Sequence, residues 1–168
     1  MQRSSALPLC LLMGLVSAAT ASWAQNASTP AFQKLESLVG EWEATLEGEH
    51  TVRASYRLIA NDTAIMESIN DATHQDMVTI YHPDGDQLRA THFCSSDNQP
   101  RLRAQIGGKR GEILTFSFLD VTNLTQAGQR HIREIVFRFE DDDHYTQEWT
   151  QRENDEDSVD VLHFVRKK

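Results

Sequence analysis

His92 and Cys94 stand two residues apart in Thr91-His92-Phe93-Cys94, beside a segment, Ser95 to Arg101, dense in side chains that donate and accept hydrogen bonds. An imidazole and a thiol can make a thiolate nucleophile, with the imidazole as base. On one strand, however, side chains at i and i+2 are about 7 Å apart at the backbone. Direct proton transfer would need unusual geometry, and His131 or His163 from another strand would be a better partner. His-x-Cys alone does not complete a zinc set, and neither Cys-x-x-Cys nor His-Glu-x-x-His occurs. The non-catalytic reading is a hydrogen-bonded core histidine and a cysteine acting as a small buried hydrophobe. Catalysis by Cys94 and His92 is therefore the alternative, and ligand contact is the main expectation. The residues expected to line such a site are Tyr81, His92, Cys94, Asn98, Gln99, Arg101 and Trp149, with Arg101 as an anion anchor on a polar rim. No cofactor is expected.

Those residues need a scaffold that gathers them. Ala31 to Leu38 places apolar residues at helical spacing, with Gly40 as a stop. From Trp42 onward apolar residues alternate with polar ones in short segments separated by Gly, Asp or Asn clusters, the pattern of strands. The predicted strands are 41–47, 51–59, 64–70, 77–82, 87–94, 101–106, 113–119, 131–140, 144–151 and 159–166. Uniformly short connections favour a single antiparallel up-and-down β-barrel, all-β with one short N-terminal helix, over a two-sheet sandwich. Asp84-Gly85 between alternating runs predicts a two-residue hairpin that pairs Tyr81 with Leu88, Thr79 with Ala90 and Met77 with His92. The face carrying these residues and Cys94 has no formal charge and is the expected interior. Tyr145, Gln147 and Trp149 share a face, as do Ile135, Phe137 and Phe139. Asp141 to Asp143 and Glu153 to Asp157 read as solvated turns.

The N-terminus reads as a secretory signal, residues 1–24: Arg3, an apolar run from Ala6 to Ala19, then Ser22-Trp23-Ala24. The run is shorter than the roughly 20 residues a membrane span needs. After it come a flexible segment, 25–30, and one domain, 31–168, of secreted or periplasmic location with no membrane insertion. Only Cys94 survives such processing, so no intrachain disulfide is expected. A formal net charge of −9 makes nucleic acid and anionic membrane poor partners.

Across Met77 to Leu88, Thr91 to Cys94, Asn98 to Arg101, Asp120 to Leu124 and Asp143 to Glu153 the chain resembles a family of uncharacterised bacterial exported proteins. It departs from that family at Phe93, where Tyr is frequent, and at Asp97, where Gly is frequent. The resemblance extends distantly to lipocalins, fatty-acid-binding proteins and nitrobindins. It implies a lipocalin-like, calycin-type barrel holding a small apolar or amphipathic molecule. A nitrobindin-like haem site would be the variant reading, and its ligand would have to be an inward His163.

Overall fold

The structure is a computed structural model that describes residues 29–45, 50–71 and 74–168; the expected signal, 1–24, and residues 25–28 lie outside the described residues. One helix precedes ten strands: α1 (Pro30–Glu36), β1 (Gly40–Thr45), β2 (Thr51–Ile59), β3 (Ala64–Asp71), β4 (His74–Asp84), β5 (Gln87–Phe93), β6 (Gln99–Gly107), β7 (Ile113–Thr122), β8 (His131–Phe139), β9 (His144–Glu153) and β10 (Glu156–Arg166). Neighbours in sequence pair antiparallel, and β1 pairs with β10 through Trp42↔Arg166, Glu43↔Val165 and Ala44↔Phe164, closing the ring. Closure joins the first strand to the last, so the sheet does not end in two free edge strands as each sheet of a sandwich would. No helix among the described residues is long and apolar enough to cross a membrane.

Alternation decides which side chains enter the barrel. Val52, Ala54 and Tyr56 of β2, Leu88, Ala90 and His92 of β5, and Tyr145, Gln147 and Trp149 of β9 are all buried. Phe93 points outward and is exposed, so the uncharged face of the β4–β5 hairpin is the interior, as expected. On β8 a bulge between Ile132 and Glu134 breaks the period, and Ile132 and Ile135 both reach the core although three residues apart.

Helix α1 plugs one end of the barrel. Thr29 caps it, its Oγ1 accepting from the Phe32 amide at 3.2 Å, and Pro30 occupies the first turn. Ala31, Phe32 and Leu35 are buried in the core. The helix stops at Glu36 rather than running through Leu38, because the Leu38 and Val39 amides bond three residues back, to Leu35 O at 3.0 Å and Glu36 O at 3.1 Å, and the carbonyls that follow are taken by side chains. The Trp42 indole donates to Leu38 O at 2.7 Å, and the Arg166 guanidinium donates to Ser37 O at 2.8 Å and Val39 O at 3.1 Å. Arg166 also lies 4.1 Å over the Trp42 ring, so the last strand clasps the first turn of the fold.

Two hairpins correct the sequence expectation. In β4–β5 the observed pairs are Asp84↔Gln87, Tyr81↔Ala90 and Thr79↔His92. The turn is centred on Gly85-Asp86 rather than Asp84-Gly85, and positive φ falls on Gly85 alone, at 62°. A two-residue shift of pairing keeps every side chain on its predicted face, so the interior assignment survives the error. In β9–β10 the turn is only Asn154-Asp155, with φ of 49° and 66°, and Glu153 pairs with Glu156. Positive φ at both central positions is the type I′ pattern, which favours Asn-Gly. Asp155→Gly is accordingly expected to stabilise the protein by about 0.5 kcal/mol, seen as a higher urea midpoint with unchanged slope; a lower midpoint would refute the turn assignment.

Candidate ligand cavity

The barrel interior is stacked from the plugged end to the open one. Beneath α1, Tyr81, Phe116, Phe137, Tyr145 and Phe164 pack with ring centroids 4.9–6.1 Å apart. Among them sits Glu67, fully buried. Tyr81 Oη donates to its Oε2 at 2.6 Å, Gln147 Nε2 to its Oε1 at 2.9 Å, and Tyr56 Oη also to Oε1; Tyr145 Oη lies 2.9 Å from Tyr56 Oη. Burial raises the Glu67 pKa, while the donors from Tyr56, Tyr81, Gln147 and Thr79 pull it back. Burial, then the Glu67 charge, raises the Tyr56 and Tyr81 pKa values well above the usual phenol range, so both stay protonated donors.

One layer higher, His92 Nδ1 meets Thr79 Oγ1 at 2.9 Å, and its ring lies 4.9 Å from that of Trp149. His92 is fully buried, its Nε2 has no hydrogen-bond partner, and burial pushes its pKa down to about 3. This is a neutral core histidine. No hydrogen bond joins it to Cys94.

Above Trp149, among the described residues, the barrel opens into a cavity of about 270 Å³. Its wall is apolar: Val52, Ile69, Met77, Ile132, Trp149 and Leu162. Cys94 lies between this wall and a polar rim of Ser95, Ser96, Arg130, Gln151 and Asp160. The rim is braced from below. Asn98, fully buried, donates through Nδ2 to Arg130 O at 2.8 Å and Ser96 O at 3.2 Å, and Gln129 Nε2 donates to Ser96 O at 2.8 Å. The turn after β5 is thereby stapled to the segment leading into β8. Two other clefts, of about 450 and 380 Å³, flank α1 at the opposite end and are lined in large part by charged and polar side chains.

The expected site residues thus divide. Cys94 and Trp149 line the cavity; His92 and Tyr81 are buried beneath it, and Asn98 holds its rim. Gln99 and Arg101 fall elsewhere. Arg101 is in β6, as predicted, and Gln99 begins that strand rather than standing in the turn before it, its Oε1 accepting from Thr122 Oγ1 at 2.9 Å. Arg101 is exposed and bound bidentately to Asp120 at 2.5 and 2.6 Å. That pairing occupies the guanidinium and raises its pKa, so the cation at the cavity mouth is Arg130. His163 is exposed on the outer face, where its Nδ1 meets Thr146 Oγ1 at 2.9 Å, because the two-residue turn of the last hairpin pairs it with Thr146. It does not aim into the barrel. His131 is likewise outside the cavity lining, its Nδ1 2.8 Å from Gln129 O. Among the described residues no group of three His, Cys, Asp or Glu side chains could hold a metal ion.

Glu67 escaped the sequence reading, although its signal was present. Ile65-Met66-Glu67-Ser68-Ile69 places the carboxylate on the apolar face between two isoleucines. Asp160 carries the same signal, two residues before Leu162 and four before Phe164.

No family model and no curated protein matches the chain. Among solved structures the chain is similar to Rv2717c from M. tuberculosis, with 12% sequence identity and a TM-score of 0.54 over 83% of this chain and 99% of that one. At that identity the likeness shows the β-barrel fold alone.

Proposed function

We propose that the protein is an exported binder that holds a small amphipathic molecule in the open end of a lipocalin-like barrel. The observation that carries this reading is the cavity: about 270 Å³, walled by six apolar side chains and rimmed by polar ones, at the end that α1 leaves open. Ligand sites are commonly mostly apolar pockets of about 300–1,000 Å³ with a few polar groups that fix orientation. The volume here favours a compact molecule over a long acyl chain or a tetrapyrrole. Export rests on the Arg3, Ala6–Ala19 and Ser22-Trp23-Ala24 pattern.

Native mass spectrometry of protein recovered without denaturation tests both parts. The expected spectrum shows a chain beginning at Gln25 and carrying an added small mass. The mass is expected to leave on denaturation and to return on refolding with the released fraction, but not after Cys94 has been alkylated, since the adduct would fill the cavity. A bare chain, or rebinding unaffected by alkylation, would overturn the cavity reading. An intact residue 1–24 segment in the recovered protein would overturn export.

A further inference from the structure

The rim carries two opposite charges bridged by one neutral group. Arg130 Nε donates to Gln151 Oε1, and Gln151 Nε2 donates to Asp160 Oδ2 at 2.5 Å. All three side chains line the mouth of the apolar cavity. Among the described residues neither Arg130 nor Asp160 is in an ion pair, in contrast to Arg53, Arg89, Arg101, Arg138 and Arg152, each of which meets a carboxylate. Register places Asp160 opposite Trp149 and Gln151 opposite Ser158, so Asp160 and Gln151 both project to the inner side of the wall. The Gln151 amide presents an acceptor to Arg130 and a donor to Asp160 from a single carbon. A carboxylate and an ammonium on one carbon present the same pattern, and would replace two contacts in which only the protein group is charged with two in which both partners are.

Resting on the cavity reading above, we propose that the ligand has an apolar body and a zwitterionic head, as an α-amino acid with a large apolar side chain does. Its carboxylate meets Arg130, its ammonium meets Asp160, and its side chain lies against Ile132, Trp149 and Leu162. A singly charged molecule leaves one of the two rim charges unmatched. The chain's formal charge of −9 also works against a simple anion on approach, whereas a neutral zwitterion is indifferent to it.

Calorimetric titration, with Trp149 fluorescence as a second readout, distinguishes the possibilities with four probes built on one phenylalkyl body: L-phenylalanine, 3-phenylpropanoate, phenethylamine and propylbenzene. Arg130 and Asp160 are exposed, so Arg130→Gln and Asp160→Asn should fold normally. L-phenylalanine is expected to bind about fivefold more tightly than either singly charged probe, and to lose about fivefold in each variant. The 3-phenylpropanoate affinity should fall only in Arg130→Gln, that of phenethylamine only in Asp160→Asn, and that of propylbenzene in neither. If propylbenzene binds and L-phenylalanine binds no better than the singly charged probes, or is indifferent to both variants, the zwitterion assignment fails while the cavity stands. If none of the four binds, the cavity reading fails and takes this inference with it.

Discussion

Replacing Glu67 by alanine is expected to destabilise the protein by about 4 kcal/mol, measured by urea unfolding at neutral pH. Three effects add in the same direction. The carboxylate holds Tyr56, Tyr81 and Gln147, and each of these buried donors loses its acceptor when it goes. The removed side chain leaves a void in a layer of packed aromatic rings, which has little freedom to collapse. Tyr145, which reaches the carboxylate only through Tyr56 Oη, loses the end of its relay. The network origin of the effect shows in a double-mutant cycle. Tyr81→Phe should be costly in the wild type, where it leaves Glu67 Oε2 without its phenol, and much less so once Glu67 is alanine, because the carboxylate that the phenol serves is then gone and only Thr79 remains beside it. A loss below about 1 kcal/mol for Glu67→Ala, or strictly additive costs in the cycle, would show that the cluster is not coupled as described.

The second large effect is an acid-driven loss of stability set by His92. An unfolded histidine titrates near 6.5, and in the fold burial holds His92 neutral down to about 3. Between those values the unfolded chain binds one proton more than the folded one, so stability falls as pH falls, by about 1.4 kcal/mol per pH unit. The His92 contribution is therefore fully present above pH 6.5 and is lost as pH drops toward 3. Glu67 acts in the opposite sense. Its raised folded pKa means that the native carboxyl takes up a proton before the unfolded one does, so the energetic cost of burying its charge is relieved as pH falls toward the ordinary value of 4.5. The two can be separated by comparing the wild type with His92→Phe, which keeps a ring against Trp149. The difference in unfolding free energy between the two proteins should be constant above pH 6.5 and should shrink progressively below it. A difference that stays flat from pH 7 to pH 4 would mean that His92 is charged or solvated in the native state.

Much of the barrel was legible in the sequence because a closed sheet imposes one simple demand, apolar residues every second position facing inward. Where the core is present on one side of a strand, that demand writes itself plainly, and β2 has the predicted bounds of Thr51 and Ile59. It fades where a hairpin projects past the core. Glu156, Asp157 and Ser158 are exposed strand residues paired to equally polar partners on β9, so nothing apolar marked them as sheet. Pro100 misled in another way. A proline is unusual within a strand, but here it adjoins the bulge at Arg101 and Leu102, and the strand begins one residue before it.

The site was legible only in part, for a related reason. Cys94 and Trp149 could be placed because their faces followed from alternation within one hairpin or strand. Arg130 could not, since it precedes β8 in an irregular segment and reaches the mouth only because Asn98, thirty-two positions away in sequence, holds its carbonyl. Glu67 was hidden by chemistry rather than geometry. An acidic residue is ordinarily assigned to water, and only the convergence of two phenols and an amide from three other strands makes its burial tolerable.

The clasp of Arg166 over Trp42 has a consequence for how the molecule comes into being. The seam joins the first strand to the tenth, so β1 keeps an open side until β10 is in place, and the carbonyls of Ser37 and Val39, just past the helix, wait for Arg166. In a chain made from its N-terminus, the first strand of the barrel cannot complete its pairing ahead of the tenth. The barrel therefore closes late, in one step that seats the last strand and the helix end together.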